Sequence, residues 1–241
     1  MSSMARVRFA TKPGPDAKND VTGTAYNGVM ARALVAIQTA AALIPEHARW
    51  EDLRKAAAGC KACDLWKRGT QTVFGEGGKK ARIMFVGEQP GNDEDLAGRP
   101  FVGPAGKLLD KALEEVGIDR SLAYVTNVVK HFKWEPRGKR RIHAKPNAIE
   151  IRACLPWLNA EIALIKPQVL VCLGATAAQA LLGKQFRVTQ HRGEFVESPL
   201  APRVMATVHP SSILRAPDDE TRHAETQRFV EDLKKVAAVL K

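Results

Sequence analysis

Four short apolar runs limit what this chain can fold into: residues 82–86, 123–129, 169–173 and 204–208. Each has the length of a buried strand, and stretches with helical spacing lie between them. Helices are expected over 104–116, 148–165, 175–182 and about 221–240, with Gly117 and Pro167 marking two of the stops. Strands alternating with helices predict a parallel, doubly wound sheet with helices on both faces, an α/β/α sandwich. In such sheets ligands sit beyond the carboxyl ends of the strands. Three of the runs end in polar groups there: Glu88-Gln89, Asn127 and His209.

The segment Arg137-Gly138-Lys139-Arg140-Arg141-Ile142-His143-Ala144-Lys145 follows the second run. Five of its nine side chains are permanent cations. Pro136 and Pro146 bracket it and argue against a helix or a central strand, so an exposed loop is expected. Lys139, Arg140 and Arg141 suit a phosphate backbone, and His143 suits a base or a nucleophile. One cleft then holds Glu88, Gln89, Asn127, His143 and His209.

Charge points the same way. With 37 basic and 26 acidic residues the net charge is +11, which favours a polyanionic partner. Four cysteines in 241 residues are too sparse for a secreted disulfide framework and fit a reducing, cytoplasmic setting. Cys60-Lys61-Ala62-Cys63 has the spacing to grip one metal centre from a tight turn. No apolar run reaches the roughly 18 residues of a membrane span, and no phosphate-binding glycine motif occurs. Residues 1–45 are expected to be a tail, disordered to about 28 and helical over 29–43. A helix over 46–58, opened by Pro45 and stopped by Gly59, begins the domain.

Together, Gly87-Glu88-Gln89-Pro90-Gly91, Gly98-Arg99-Pro100-Phe101-Val102-Gly103, Thr126-Asn127 and His209-Pro210-Ser211-Ser212 resemble the uracil-DNA glycosylase superfamily, near its iron–sulfur family 4. The insert Lys139-Arg140-Arg141-Ile142-His143 makes the chain similar to the UdgX branch, whose members excise uracil and remain bonded to the DNA through the loop histidine. The resemblance covers about residues 50–240.

It implies that Phe101 stacks on a flipped uracil, that Asn127 reads the base edge, and that His209 stabilises the departing base. Glu88 and Gln89 would orient the sugar, a water or His143, and Arg215 would support the site or hold phosphate. It also implies a [4Fe-4S] cluster. Cys60, Cys63 and Cys154 stand at matching places, and His131 stands where family 4 has cysteine. The expected ligands are Cys60, Cys63, His131 and Cys154, with a three-cysteine cluster or zinc as alternatives. The expected partner is uracil-containing DNA, preferably single-stranded, and the expected state a monomer. Conventional turnover and a non-catalytic DNA-binding module are the rival readings.

Overall fold

The computed structural model of the chain describes residues 38–78 and 81–240. A 3-10 turn at Ala40–Leu43 leads to α1 (Trp50–Ala58), a second such turn (Asp64–Lys67), β1 (Glu76–Gly77) and β2 (Ile83–Gly87). Then come α2 (Asn92–Ala97), α3 (Pro104–Glu115), β3 (Ala123–Asn127), β4 (Trp134–Arg137), β5 (Arg140–His143) and α4 (Ala148–Ile165). The last part comprises β6 (Val169–Leu173), α5 (Ala175–Leu182), α6 (Val188–His191), β7 (Phe195–Val196), β8 (Arg203–Thr207), α7 (Pro210–Leu214) and α8 (Asp219–Ala238).

Six strands form one sheet in the order β1-β3-β2-β6-β8-β7. The four central strands are parallel, and the two-residue strands at the edges are antiparallel. Alternation along each strand feeds two cores. Ile83 and Phe85 pack with Leu109 and Leu113 of α3 and with Phe229 and Leu233 of α8. Met84 and Val86 face the other way, toward Trp157 and Leu158 of α4 and Ala177 of α5. Each such buried side chain contributes roughly 1.5–3 kcal/mol. The fold is thus the expected mostly parallel α/β/α sandwich.

The chain passes from β2 to β3 on one side, then returns to place β6 on the other side of β2. That reversal opens a crevice beyond the carboxyl ends of β2 and β6, where α/β sheets bind their ligands.

Three expectations need correction. The first helix begins at Trp50, not at residue 46: His47 takes a positive φ of 52°, and the Asp52 carboxylate accepts the Arg49 backbone N–H at 3.0 Å to cap the helix at that point. Packing starts before residue 46, since Ala40 is fully buried; most of the expected 29–43 helix lies outside the described residues. The basic segment is not a loop. It is a hairpin, β4 against β5, in register from Trp134↔His143 to Arg137↔Arg140. Gly138 takes φ 60° at the first position of the two-residue turn, which is glycine's place in a II′ hairpin. Pro136 is tolerated because the ribbon is separate from the central sheet.

Candidate active site

A cavity of about 760 Å³ opens at the ends of the strands, lined among others by Glu88, Gln89, Phe101, Asn127, His143, His209 and Arg215. Just before Glu88 comes Gly87, the last residue of β2, in register with Asn127. A Cβ on Gly87 would lie 2.4 Å from Asn127 Oδ1, 2.9 Å from Phe101 Cζ and 3.3 Å from His209 Nε2. Three groups from three separate segments thus converge on one point, and only glycine leaves room there. Asn127 is buried, and its amide has no protein partner among the described residues. Phe101 sits at φ 56°, costly for a bulky residue and characteristic of functional sites. Gly106 of α3 makes that turn possible: a Cβ there would lie 1.7 Å from the Phe101 carbonyl oxygen. The Phe101 and His209 rings are 6.0 Å apart and nearly parallel, at 28°.

The state of His209 follows from its partners. The Ser211 backbone N–H donates to Nδ1 at 3.1 Å, and the Ser211 hydroxyl lies 2.8 Å away. Nδ1 is therefore an acceptor, and the ring proton belongs on Nε2, the nitrogen nearest Gly87. Burial first, then the Arg215 and His143 charges, push its pKa down to about 4. At neutral pH it is an uncharged imidazole presenting an N–H donor.

His143, the last residue of β5, lines the same cavity. Its Nε2 lies 3.5 Å from Glu88 Oε1, with half of the side chain still exposed. Its ring tilts against Phe132 at 6.2 Å. Partial burial is the largest cause lowering its pKa; Glu88 opposes this and Arg215 adds to it.

Gln89 is also placed differently. Its amide donates to the carbonyls of Lys133, at 3.1 Å, and Ala144, at 3.0 Å. It accepts the Lys133 N–H at 3.1 Å. The amide thus clasps the two ends of the hairpin that carries His143. Arg141 departs from its expected role in phosphate binding. Its Nη1 pairs with the fully buried Asp95 at 2.6 Å, its Nε donates to Asn92, and its guanidinium lies over Phe132 and Trp134. Its cation is turned inward and latches the ribbon to α2. Lys139 and Arg140 at the tip, and Arg215 at the cavity, remain exposed without an ion pair among the described residues.

Sequence reasoning missed the buried charges. Lys130 and Glu161 pair at 2.5 Å with essentially no exposure. Glu161 also accepts from Tyr124, Thr126 and the Gly75 N–H, and Lys130 donates to the Asn127 carbonyl at 2.8 Å. This saturated network sits behind Asn127 and fixes its backbone. The cue was available: one carboxylate inside the otherwise apolar stretch 161–165 of α4. Glu94 was missed too. Its carboxylate ties the Gly91 and Gly103 N–H groups, at 3.0 and 2.7 Å, and lines the cavity.

Cys60, Cys63 and Cys154 are near enough to act electrostatically on one another. Trp157 Nε1 donates to Cys60 Sγ, and the Lys130 N–H to Cys154 Sγ, each at 3.2 Å. Such N–H donors suit cluster-bound sulfur. His131 is buried, with Nε2 at 3.0 Å from the Thr72 hydroxyl. That hydroxyl donates to the Ala57 carbonyl, so Nε2 is the donor and Nδ1 is left as the ring's lone pair. Among the described residues, no three His, Cys, Asp or Glu side chains gather as a site for a metal ion. The expected four-ligand set is therefore not displayed as a metal centre. Cubane ligands stand farther apart than those of one ion, so the sulfur donors remain compatible with a cluster. Cys172 is mid-strand and fully buried.

Fold and pocket define an α/β protein whose switch-point cavity offers an aromatic face, a free amide and a neutral imidazole donor to a planar ligand. More specifically, the chain belongs to the uracil-DNA glycosylase superfamily, whose family model matches residues 74–234. It is 41% identical over 183 residues to a type-4 uracil-DNA glycosylase of Thermotoga maritima, covering 76% of this chain and 90% of that protein. It is 39% identical over 178 residues to the type-4 enzyme of Sulfurisphaera tokodaii, covering 70% and 77%. A type-5 uracil-DNA glycosylase of Pyrobaculum aerophilum is 29% identical over 193 residues, covering 73% and 79%.

Proposed function

We propose that this chain, a uracil-DNA glycosylase by family, releases uracil from DNA and then stays bonded to the abasic sugar through His143, in the manner of the UdgX branch. A base within a stack cannot reach this cavity, so it must be flipped out or already unpaired. Single-stranded DNA avoids the unstacking cost and is the preferred substrate. Phe101 stacks on the base, contributing about 1–3 kcal/mol. Asn127 supplies a matched donor and acceptor to its edge.

The bond from C1′ to uracil N1 breaks, and its electron pair leaves with the base. The Nε2–H of His209 donates to the developing oxyanion, a contribution of roughly 3–4 kcal/mol. The sugar left behind is cationic, and the Glu88 carboxylate faces it. His143, neutral with its proton on Nδ1, donates the Nε2 lone pair to C1′. The ring becomes an alkylated imidazolium and loses its Nδ1 proton to solvent. The carbon–nitrogen bond has no good leaving group, so the protein acts once. Lys139, Arg140 and Arg215 take phosphates.

The observation that carries this reading is the placement of two differently prepared imidazoles on one cavity, with His143 Nε2 beside Glu88. Conventional turnover is the second reading, favoured by the same carboxylate, which would orient a water if the hairpin moved away. A purely DNA-binding role leaves Asn127 and His209 unexplained. Incubation with uracil-containing single-stranded DNA, followed by a denaturing gel, separates the readings. A shifted protein–DNA band, lost in His143→Ser, supports capture. Free abasic DNA without such a band supports turnover, and retention without base release supports mere binding.

A [4Fe-4S] cluster on Cys60, Cys63, His131 and Cys154 would tie the α1 end to the segment entering the hairpin. When bound it supplies structural cross-linking. Iron and sulfide assays on the purified protein test it. No helix among the described residues is long and apolar enough to cross a membrane, and a cytoplasmic monomer acting in base-excision repair is the setting we infer.

A further inference from the structure

Glu88 stands at the end of β2, and β6 is the neighbouring strand across the switch point. The turn Gly174-Ala175-Thr176 leads from β6 into α5 at the site. It touches both halves of the chemistry. Gly174 takes φ 89°, and a Cβ on it would lie 3.1 Å from His209 Cβ. Two residues on, the buried Thr176 hydroxyl donates a hydrogen bond to Glu88 Oε2. The other carboxylate oxygen, Oε1, is the one beside His143 Nε2. Among the described residues, no other side chain besides Thr176 and His143 engages the Glu88 carboxylate.

We propose that Thr176 is a positioning residue that holds Glu88 in one orientation, with Oε1 turned to His143, and so sets how often the sugar is captured by imidazole instead of water. The inference rests on the capture reading above. A carboxylate with one oxygen tethered cannot rotate to offer both to solvent. Its free oxygen faces the incoming imidazole and the cationic sugar, and an attacking water loses its organiser. Untethered, Glu88 turns toward bulk water and orients it on the cationic sugar, and abasic DNA escapes. Geometric slippage of this kind is costly, because a displacement of about 1 Å in an active site can lower rates on the order of 100-fold.

Thr176→Val keeps the shape and removes the hydroxyl; Thr176→Ser keeps the hydroxyl. Full-length variants are compared on uracil-containing single-stranded DNA under single turnover, scoring base release and bonded DNA separately. We expect Thr176→Val to lower the ratio of bonded to free abasic DNA by about tenfold, with Thr176→Ser staying within about twofold of the parent. In a Glu88→Gln background Thr176→Val should change the ratio by less than about twofold, since the tethered group is already altered. An unchanged ratio in folded Thr176→Val overturns the proposal, as does an equal loss in both substitutions. If the parent forms no bonded DNA, the capture reading fails. Thr176 is then judged on base release alone, where a loss in Val restored in Ser sustains positioning of Glu88 and no loss overturns it.

Discussion

His209 and His143 line one cavity, yet one stands just past a parallel strand and the other on a two-stranded ribbon with no sheet behind it. His209 follows β8, which is buried between two helical layers, and its ring is oriented by backbone at the start of α7. An isolated hairpin is marginal in water. The ribbon carrying His143 is held from outside by Gln89, by the Arg141–Asp95 pair and by the exchange between Trp134 and Arg68. On the proposed reading, the wall that would release the base is set by core packing, and the wall that would capture the sugar by a few side-chain anchors. Substitutions should separate the two functions.

The largest effect is expected on the sheet side. His209→Ala should slow base release by about 100- to 1,000-fold, the loss typical of an oxyanion donor, measured under single turnover. Gly87→Ala should cost on the order of 100-fold by displacing Asn127 and Phe101 together, since misplacement of about 1 Å suffices for that; near-normal base release would contradict the convergence on Gly87.

Acid comes next. Below pH 4 the His209 ring gains a proton and Nδ1 can no longer accept the Ser211 N–H. Base release should be flat from pH 8 to about 5 and then fall about tenfold per unit below 4. The same depressed pKa makes the unfolded chain bind the extra proton first. Its stabilising contribution is therefore complete above about 6.5 and is lost as pH falls from there toward 4. A pH-dependent melting series measures this.

On the ribbon, Arg141→Met should reduce capture by about fivefold while leaving base release within about twofold, because only the latch is removed. Equal loss of both would erase the distinction between the walls. The smallest effects belong to the tip. Arg140→Ala or Lys139→Ala should each lower the salt slope of DNA binding by about 1, with little change in chemistry.

The central strands were legible because they are buried on both faces and read as continuous apolar runs, and the polar groups ending them mark the cavity directly. The ribbon was not legible. Neither of its faces joins the core, so Trp134–Arg137 and Arg140–His143 lack apolar alternation; Gly138 in a two-residue turn was its one cue. The edge strands β1 and β7 are too short to carry any period. Gln89 and Arg141 were recognisable as polar, but their partners, Ala144 and Asp95, are set by tertiary placement. Thr176 looked like an ordinary residue of an alanine-rich helix, because only the switch point brings it to Glu88.

The central claim is that imidazole, not water, takes the anomeric carbon. Its most direct measurement is the mass of the intact protein after reaction with a short uracil-containing oligonucleotide, followed by peptide mapping. We predict a mass gain equal to the oligonucleotide less uracil, carried on His143 and absent from His143→Ser. Unmodified protein alongside free uracil and abasic DNA would contradict it.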